Sequence, residues 1–115
     1  MTKRAILLVQ TNPVSPEREL EFNEWYDRVH VPQVLSNVDG ITGATRFVVA
    51  ASSPTAPAHR YLAVYEIEAD EPGEVVRSLG EAMAAGTLDV TDAIDTSIPG
   101  TMELYEAIEP QKRPA

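Results

Sequence analysis

Residues 21–30, EFNEWYDRVH, place an amide, an indole, a phenol, a carboxylate and an imidazole within one short stretch. Asn23, Tyr26, Asp27 and His30 are spaced i, i+3, i+4 and i+7, which aligns them along one edge of an α-helix. Imidazole titrates closest to neutrality of all side chains, so His30 is suited to give and take protons. Asp27 is spaced to orient that ring or to favour its charged form. Tyr26 or Asn23 would hydrogen-bond a substrate carbonyl and stabilise the enolate that forms when a neighbouring proton leaves. Together they describe general acid/base chemistry on a carbonyl compound, with His30, Asp27 and Tyr26 as catalytic candidates. A plainer reading stands beside it. A histidine near the end of a helix is favoured by the helix dipole alone, and Asp27 would then make only a surface pair.

The same stretch carries Phe22, Trp25, Tyr26 and Val29 at helical period, one apolar face for the core. Trp25 is either core or the apolar floor of a pocket. Asn23, Trp25, Tyr61, Tyr65 and Arg46 are the substrate-binding candidates; for the two tyrosines, core or subunit-interface packing is the plainer role. Arg46 lies in an apolar strand and needs a partner, for which Glu66 or Glu103 on a neighbouring strand would serve. His59 falls in a Pro/Ser-rich stretch, where an exposed loop histidine is the default. The sequence offers no metal site, because the two histidines lie far apart and no H-x-x-x-H or E-x-x-H pair occurs. No phosphate-binding glycine loop and no Ser/His/Asp spacing is present. The chain has no cysteine, so thiol chemistry is absent. No cofactor is expected.

Several elements must position these residues. Residues 4–10 are a short aliphatic run that suits a strand buried on both sides. Ser15-Pro16 starts a helix, with Ser as N-cap and Pro at the first turn. Pro32 ends or kinks it near Val31, with another short helical turn possible over 32–36. Asp39-Gly40 marks the turn into a strand over 41–50, with Arg46 and Val48 opposite Phe47 and Val49. A loop over 51–58 leads to a strand over 60–68, where Tyr61, Ala63, Tyr65 and Ile67 share a face. A second helix is expected over 72–85, with Val75, Val76, Leu79 and Met83 as its apolar stripe. Residues 87–97 are ambiguous, with a short helix around 89–94 as one reading. A last strand runs over 101–108.

The order β-α-β-β-α-β predicts an α+β, ferredoxin-like domain over residues 1–109, with a C-terminal tail over 110–115. Its four-stranded antiparallel sheet carries both helices on one face. The strands have apolar residues on both sides, so a homodimer pairing the bare sheet faces is expected. With 115 residues, one domain is expected. The net charge of −9 argues against nucleic acid and anionic membrane partners. No segment is long enough to span a bilayer, and the apolar run at 5–9 is shorter than a signal-peptide core. A cytoplasmic protein with an intact N-terminus is expected.

The stretch FNEWYDRVHVPQVLSNVDGITGATRF resembles the dimeric α/β-barrel superfamily, in particular EthD-like proteins. The resemblance rests on Trp25, Tyr26, His30, Pro32, Gly40 and Ile41, with RYLAVYEIE and MELYEAIEP similar to the third and fourth strands. Asp39 departs from the proline often found before that glycine, and the turn tolerates the change. The resemblance implies the fold and dimerisation. The superfamily holds cyclases, dehydratases, isomerases, cofactor-free monooxygenases and haem-degrading enzymes, so it implies no single reaction. The residues then point to a cofactor-free dehydratase, cyclase, isomerase or lyase acting on a carbonyl-containing, aromatic or polyketide-like small molecule. A non-catalytic small-molecule binder and a monooxygenase are the alternatives.

Overall fold

The computed structural model describes residues 1–114. Strand β1 (Lys3–Thr11) leads through a 3-10 turn (Pro16–Arg18) into helix α1 (Glu19–Trp25), a π-helical turn (Tyr26–His30) and helix α2 (Val31–Asn37). Strands β2 (Ile41–Val48) and β3 (Tyr61–Ala69), helix α3 (Pro72–Ala84) and strand β4 (Thr101–Glu106) follow. The sheet order is β2-β3-β1-β4, every pairing antiparallel, which is the ferredoxin-like arrangement predicted from the element order. Among the described residues no helix is long and apolar enough to cross a membrane.

Strand alternation assigns the two sheet faces. Ala5 and Leu7 of β1 and Ala63, Tyr65 and Ile67 of β3 are buried under the helices. Val34 and Val38 descend onto them from the first helical unit, and Val75 and Leu79 from α3. The opposite face carries Ile6, Phe47 and Tyr105, all exposed in the single chain. The continuous burial expected for β1 therefore holds on one side only. At Gly40 the turn into β2 has a φ of 93°, which only glycine adopts without strain.

The first helix departs from the expected pattern in an informative way. Pro32 does not end it; the helical turn expected over 32–36 is present and runs on to Asn37. Proline lacks an N–H and its ring crowds the carbonyl four residues back, which a regular α-turn does not tolerate. The chain inserts one extra residue instead, and the Val31 N–H reaches back five residues to the Tyr26 carbonyl. This wider turn shifts the phase of the core-facing stripe. Phe22 and Tyr26 are followed inward by Val31, Val34 and Val38, and Val29 is displaced from the core. His30 consequently sits in mid-helix, so the helix-terminal dipole explanation for it does not apply.

Residues 87–97 form no helix around 89–94. They lie extended across the first helical unit, with a bridge between Pro13 and Ile94. The Val14 N–H donates to the Ala93 carbonyl at 2.7 Å and the Asp95 N–H to the Asn12 carbonyl at 2.9 Å. Leu88 and Ala93 are buried in the process. Proline-free but Asp/Thr-rich, the segment obtains its backbone partners from the 12–14 loop rather than from itself.

Candidate functional site

The π-turn divides the predicted edge into two groups. Asn23 and Asp27 face β2, where Arg46 waits. Arg46 donates to Asp27 Oδ1 at 2.9 Å and to Asn23 Oδ1 at 2.8 Å. Its guanidinium lies 4.6 Å from the Tyr26 ring centre and 5.4 Å from that of Tyr61. The ion pair expected for Arg46 thus exists, but across to the helix, not to Glu66 or Glu103. Those two carboxylates stand on the opposite sheet face from Arg46, as the strand alternation requires. Tyr61 joins the same network: its hydroxyl donates to the Glu19 carboxylate and accepts from Asn23 Nδ2 at 3.2 Å. Arg60 also reaches Glu19, at 3.1 Å. Tyr61 and Arg60 together hold the Glu19 carboxyl below its ordinary pKa.

Asp27 therefore does not orient His30. Its carboxylate is engaged with Arg46, and no hydrogen bond joins it to the imidazole. An i, i+3 pair that a regular helix would bring together is separated by the extra residue of the π-turn. His30 turns the other way and stacks on Trp25, with ring centres 4.5 Å apart and planes within 15°. Tyr26 meets both rings edge-on. The Tyr26 hydroxyl shares a hydrogen bond with Thr11 Oγ1 at 3.0 Å in the interior. It is thus already partnered in the interior, away from the cavity lining, and burial raises its pKa.

Among the described residues, three buried polar side-chain atoms have no hydrogen-bond partner: Trp25 Nε1, His30 Nδ1 and the Tyr65 hydroxyl. Such atoms are uncommon, and each calls for a water, a ligand or a functional reason. Burial pushes the His30 pKa below its ordinary value, so the imidazole is neutral at pH 7. Burial also raises the Tyr65 phenol, with the nearby Tyr26 adding to the effect.

Trp25 and His30 form one wall of a cavity of about 140 Å³. Met83 at the end of α3 and Leu88, Val90 and Ile94 of the crossing segment form the rest, with Asp89 and Thr91 among the lining residues. The segment is clasped in place. Gln33 Nε2 donates to Asp89 Oδ2 at 3.1 Å, and the Asp89 N–H donates to Gln33 Oε1 at 2.8 Å. Arg18 holds Asp92 at 2.6 Å. Sequence reasoning missed this wall. The signal for it was the spacing of Leu88, Val90, Ala93 and Ile94 in an otherwise polar stretch.

Of the predicted site residues, Trp25 and His30 line the cavity. Asn23, Asp27, Tyr61 and Arg46 belong to the polar network, Tyr26 stands between the two groups, and Tyr65 lies in the core beneath. His59 is buried, not exposed, and its Nε2 donates to the Pro99 carbonyl at 2.9 Å. Among the described residues, no three His, Cys, Asp or Glu side chains are grouped as a metal would require.

No protein-family model matches the chain, and no curated protein matches it. Solved structures do. A "putative monooxygenase" from Shewanella loihica PV-4 superposes with a TM-score of 0.57 at 12% identity, over 96% of this chain and 99% of that one. An EthD-like protein from Ralstonia eutropha JMP134 gives 0.58 at 13% identity, over 96% and 97%. An ethyl tert-butyl ether D (EthD) family protein from Bacillus halodurans C-125 gives 0.52 at 16% identity, over 92% and 99%. The ferredoxin-like fold of this chain is the fold of EthD-like proteins.

Proposed function

We propose that this protein is a small-molecule enzyme in which neutral His30 acts as general base on a substrate held in the cavity beside Trp25. The observation that carries the reading is the unpartnered, buried Nδ1 of a histidine that lines an apolar cavity. A neutral imidazole takes a proton, and an apolar wall suits a carbon acid next to a carbonyl. The Trp25 indole N–H, also without a partner and likewise closed off from solvent, would donate to the oxygen that gains charge once a seated substrate parts the two rings. Hydrogen bonds of this kind often close only once substrate is bound. No step of this chemistry calls on a cofactor.

The fate of the carbanion divides two readings. In the first it rearranges, cyclises or expels a leaving group, as an isomerase, cyclase or lyase requires. In the second it adds dioxygen; the peroxide takes up the proton and loses water, so a CH₂ becomes a C=O with one O₂ consumed and one water released. The name of the Shewanella protein favours the second. The first step is shared, and it is tested by following deuterium uptake at the α-carbon of cyclohexanone in D₂O by NMR. Wild type should exceed buffer, and His30→Gln should lose about 10²–10⁴-fold of that excess. A His30→Gln protein as fast as wild type removes His30 as the base. Oxygen uptake that tracks product formation selects the second reading.

We infer further that two copies pair through the bare sheet face. Ile6, Phe47 and Tyr105 stand exposed there beside the partly buried Leu8, Leu62 and Val64, apolar area with Glu66 and Glu103 interspersed, of the kind that a second copy covers.

A further inference from the structure

We propose that the cavity between the π-turn, the end of α3 and the crossing segment accepts an uncharged ligand built on a single six-membered ring, and rejects fused polycycles. This rests on the reading of that cavity as the substrate site, and it narrows the substrate class.

Size is the first argument. The cavity measures about 140 Å³, while an apolar cavity of about 150 Å³ in an unrelated protein holds one benzene. Its walls have little room to retreat. The Trp25 ring is packed between Tyr26 and His30, and Leu88 is buried against the main core. The segment carrying Leu88 and Ile94 is tied to the helix by the Gln33–Asp89 clasp and the Arg18–Asp92 pair. A second fused ring would have to break those ties. The one yielding side is the mouth, where Val90 is 84% exposed and Met83 47%. A ring substituent can leave there, whereas a rigid second ring in the plane of the first cannot turn.

Charge is the second argument. The surface lining the cavity is almost wholly apolar, so an ion entering it loses hydration without repayment. The nearest charged side chain is Asp89, whose carboxylate is already held by Gln33. It repels carboxylates and phosphates, and so does the chain's net charge of −9.

The chain has one tryptophan, and it is in this wall. Selectively excited Trp25 emission therefore reports occupancy directly. Titration with cyclohexanone should give a saturable change. 2-Decalone should bind at least 10-fold more weakly, and cyclohexanecarboxylate and cyclohexylammonium should show no saturation. Val90→Phe, a change at an exposed position, should block the mouth and weaken cyclohexanone at least 10-fold with the far-UV circular dichroism unchanged. Met83→Ala should enlarge the cavity and bring 2-decalone within about 3-fold of cyclohexanone. Wild-type protein that binds 2-decalone or either ion as well as cyclohexanone overturns the proposal, as does a Val90→Phe protein with undiminished binding. Saturable cyclohexanone binding without α-deuteration supports the ligand class and removes only the chemistry assigned to His30. Deuteration without a Trp25 response places the chemistry elsewhere and overturns the ligand class.

Discussion

His30 and Tyr65 illustrate two outcomes for a buried polar atom without a partner. For His30 the cost falls on the charged form. Its folded pKa lies below the unfolded value of 6.5, so the folded state holds fewer protons between the two values. Stability is intact above pH 6.5 and falls as the pH drops from there through the folded pKa. The difference between wild type and His30→Gln in urea unfolding should therefore be flat above pH 7 and turn against wild type on acidification. The acid limb of any His30-dependent rate should likewise lie below 6.5. For Tyr65 the cost falls on a hydroxyl that gains nothing in the fold. Tyr65→Phe should leave stability unchanged or raise it by up to about 1 kcal/mol. Tyr26→Phe, which strands the Thr11 hydroxyl, should lower it by about 1–2 kcal/mol. Paired thermal melts of the two variants decide this. The sequence identified both tyrosines and grouped Tyr65 with Ala63 and Ile67 on one strand face, without telling whether that face was core or interface. It held no sign of which hydroxyl would find a partner, because Thr11 meets Tyr26 only after the helix docks on β1.

At the level of elements, the sequence was most legible where a period ran uninterrupted. β3 and α3 were read to within a residue or two, since alternation and helical spacing each persisted over many positions. In the first helix the break near Val31 and the helical turn after it were legible, but the facing of its side chains only as far as Tyr26. Beyond it Pro32 forces the wider turn, and every later side chain moves out of the phase that an i, i+4 reading assumes. That one change of phase undid the expected His30–Asp27 couple and sent Asp27 to Arg46. The 87–97 segment was illegible for a different reason: its partners lie some 80 residues away in the 12–14 loop, beyond any local rule. The turn at Gly40 gives an element-scale test. A Cβ there would meet Val75 Cγ2 at 2.7 Å, at a φ of 93°. Gly40→Ala should cost roughly 1–3 kcal/mol from backbone strain, with the clash in addition. Adding Val75→Ala should relieve the clash and leave the strain, a partial recovery measurable by denaturant midpoint.

For the whole molecule, the proposed pairing through the sheet face opposite the helices can be tested at one exposed position. Phe47→Glu on that face should shift the chain toward a monomer in sedimentation velocity without loss of helix or strand signal, since Phe47 is 51% exposed in the single chain. A dimer unchanged by Phe47→Glu would move the contact elsewhere. The crossing segment has a consequence of a kinetic kind. It supplies half the cavity wall yet contains no helix or strand, and it is held by a few hydrogen bonds, the Arg18–Asp92 pair and the buried Leu88 and Ala93 side chains. Such a segment opens at a lower free energy than the sheet beneath it. Its opening would widen the mouth at Val90 and Met83 while the four strands stay intact. Amide protons of residues 88–94 should exchange with solvent well before those of β1 and β3, and ligand saturation should slow them selectively. Release of a bound molecule through that mouth should then quicken when the Gln33–Asp89 clasp is removed.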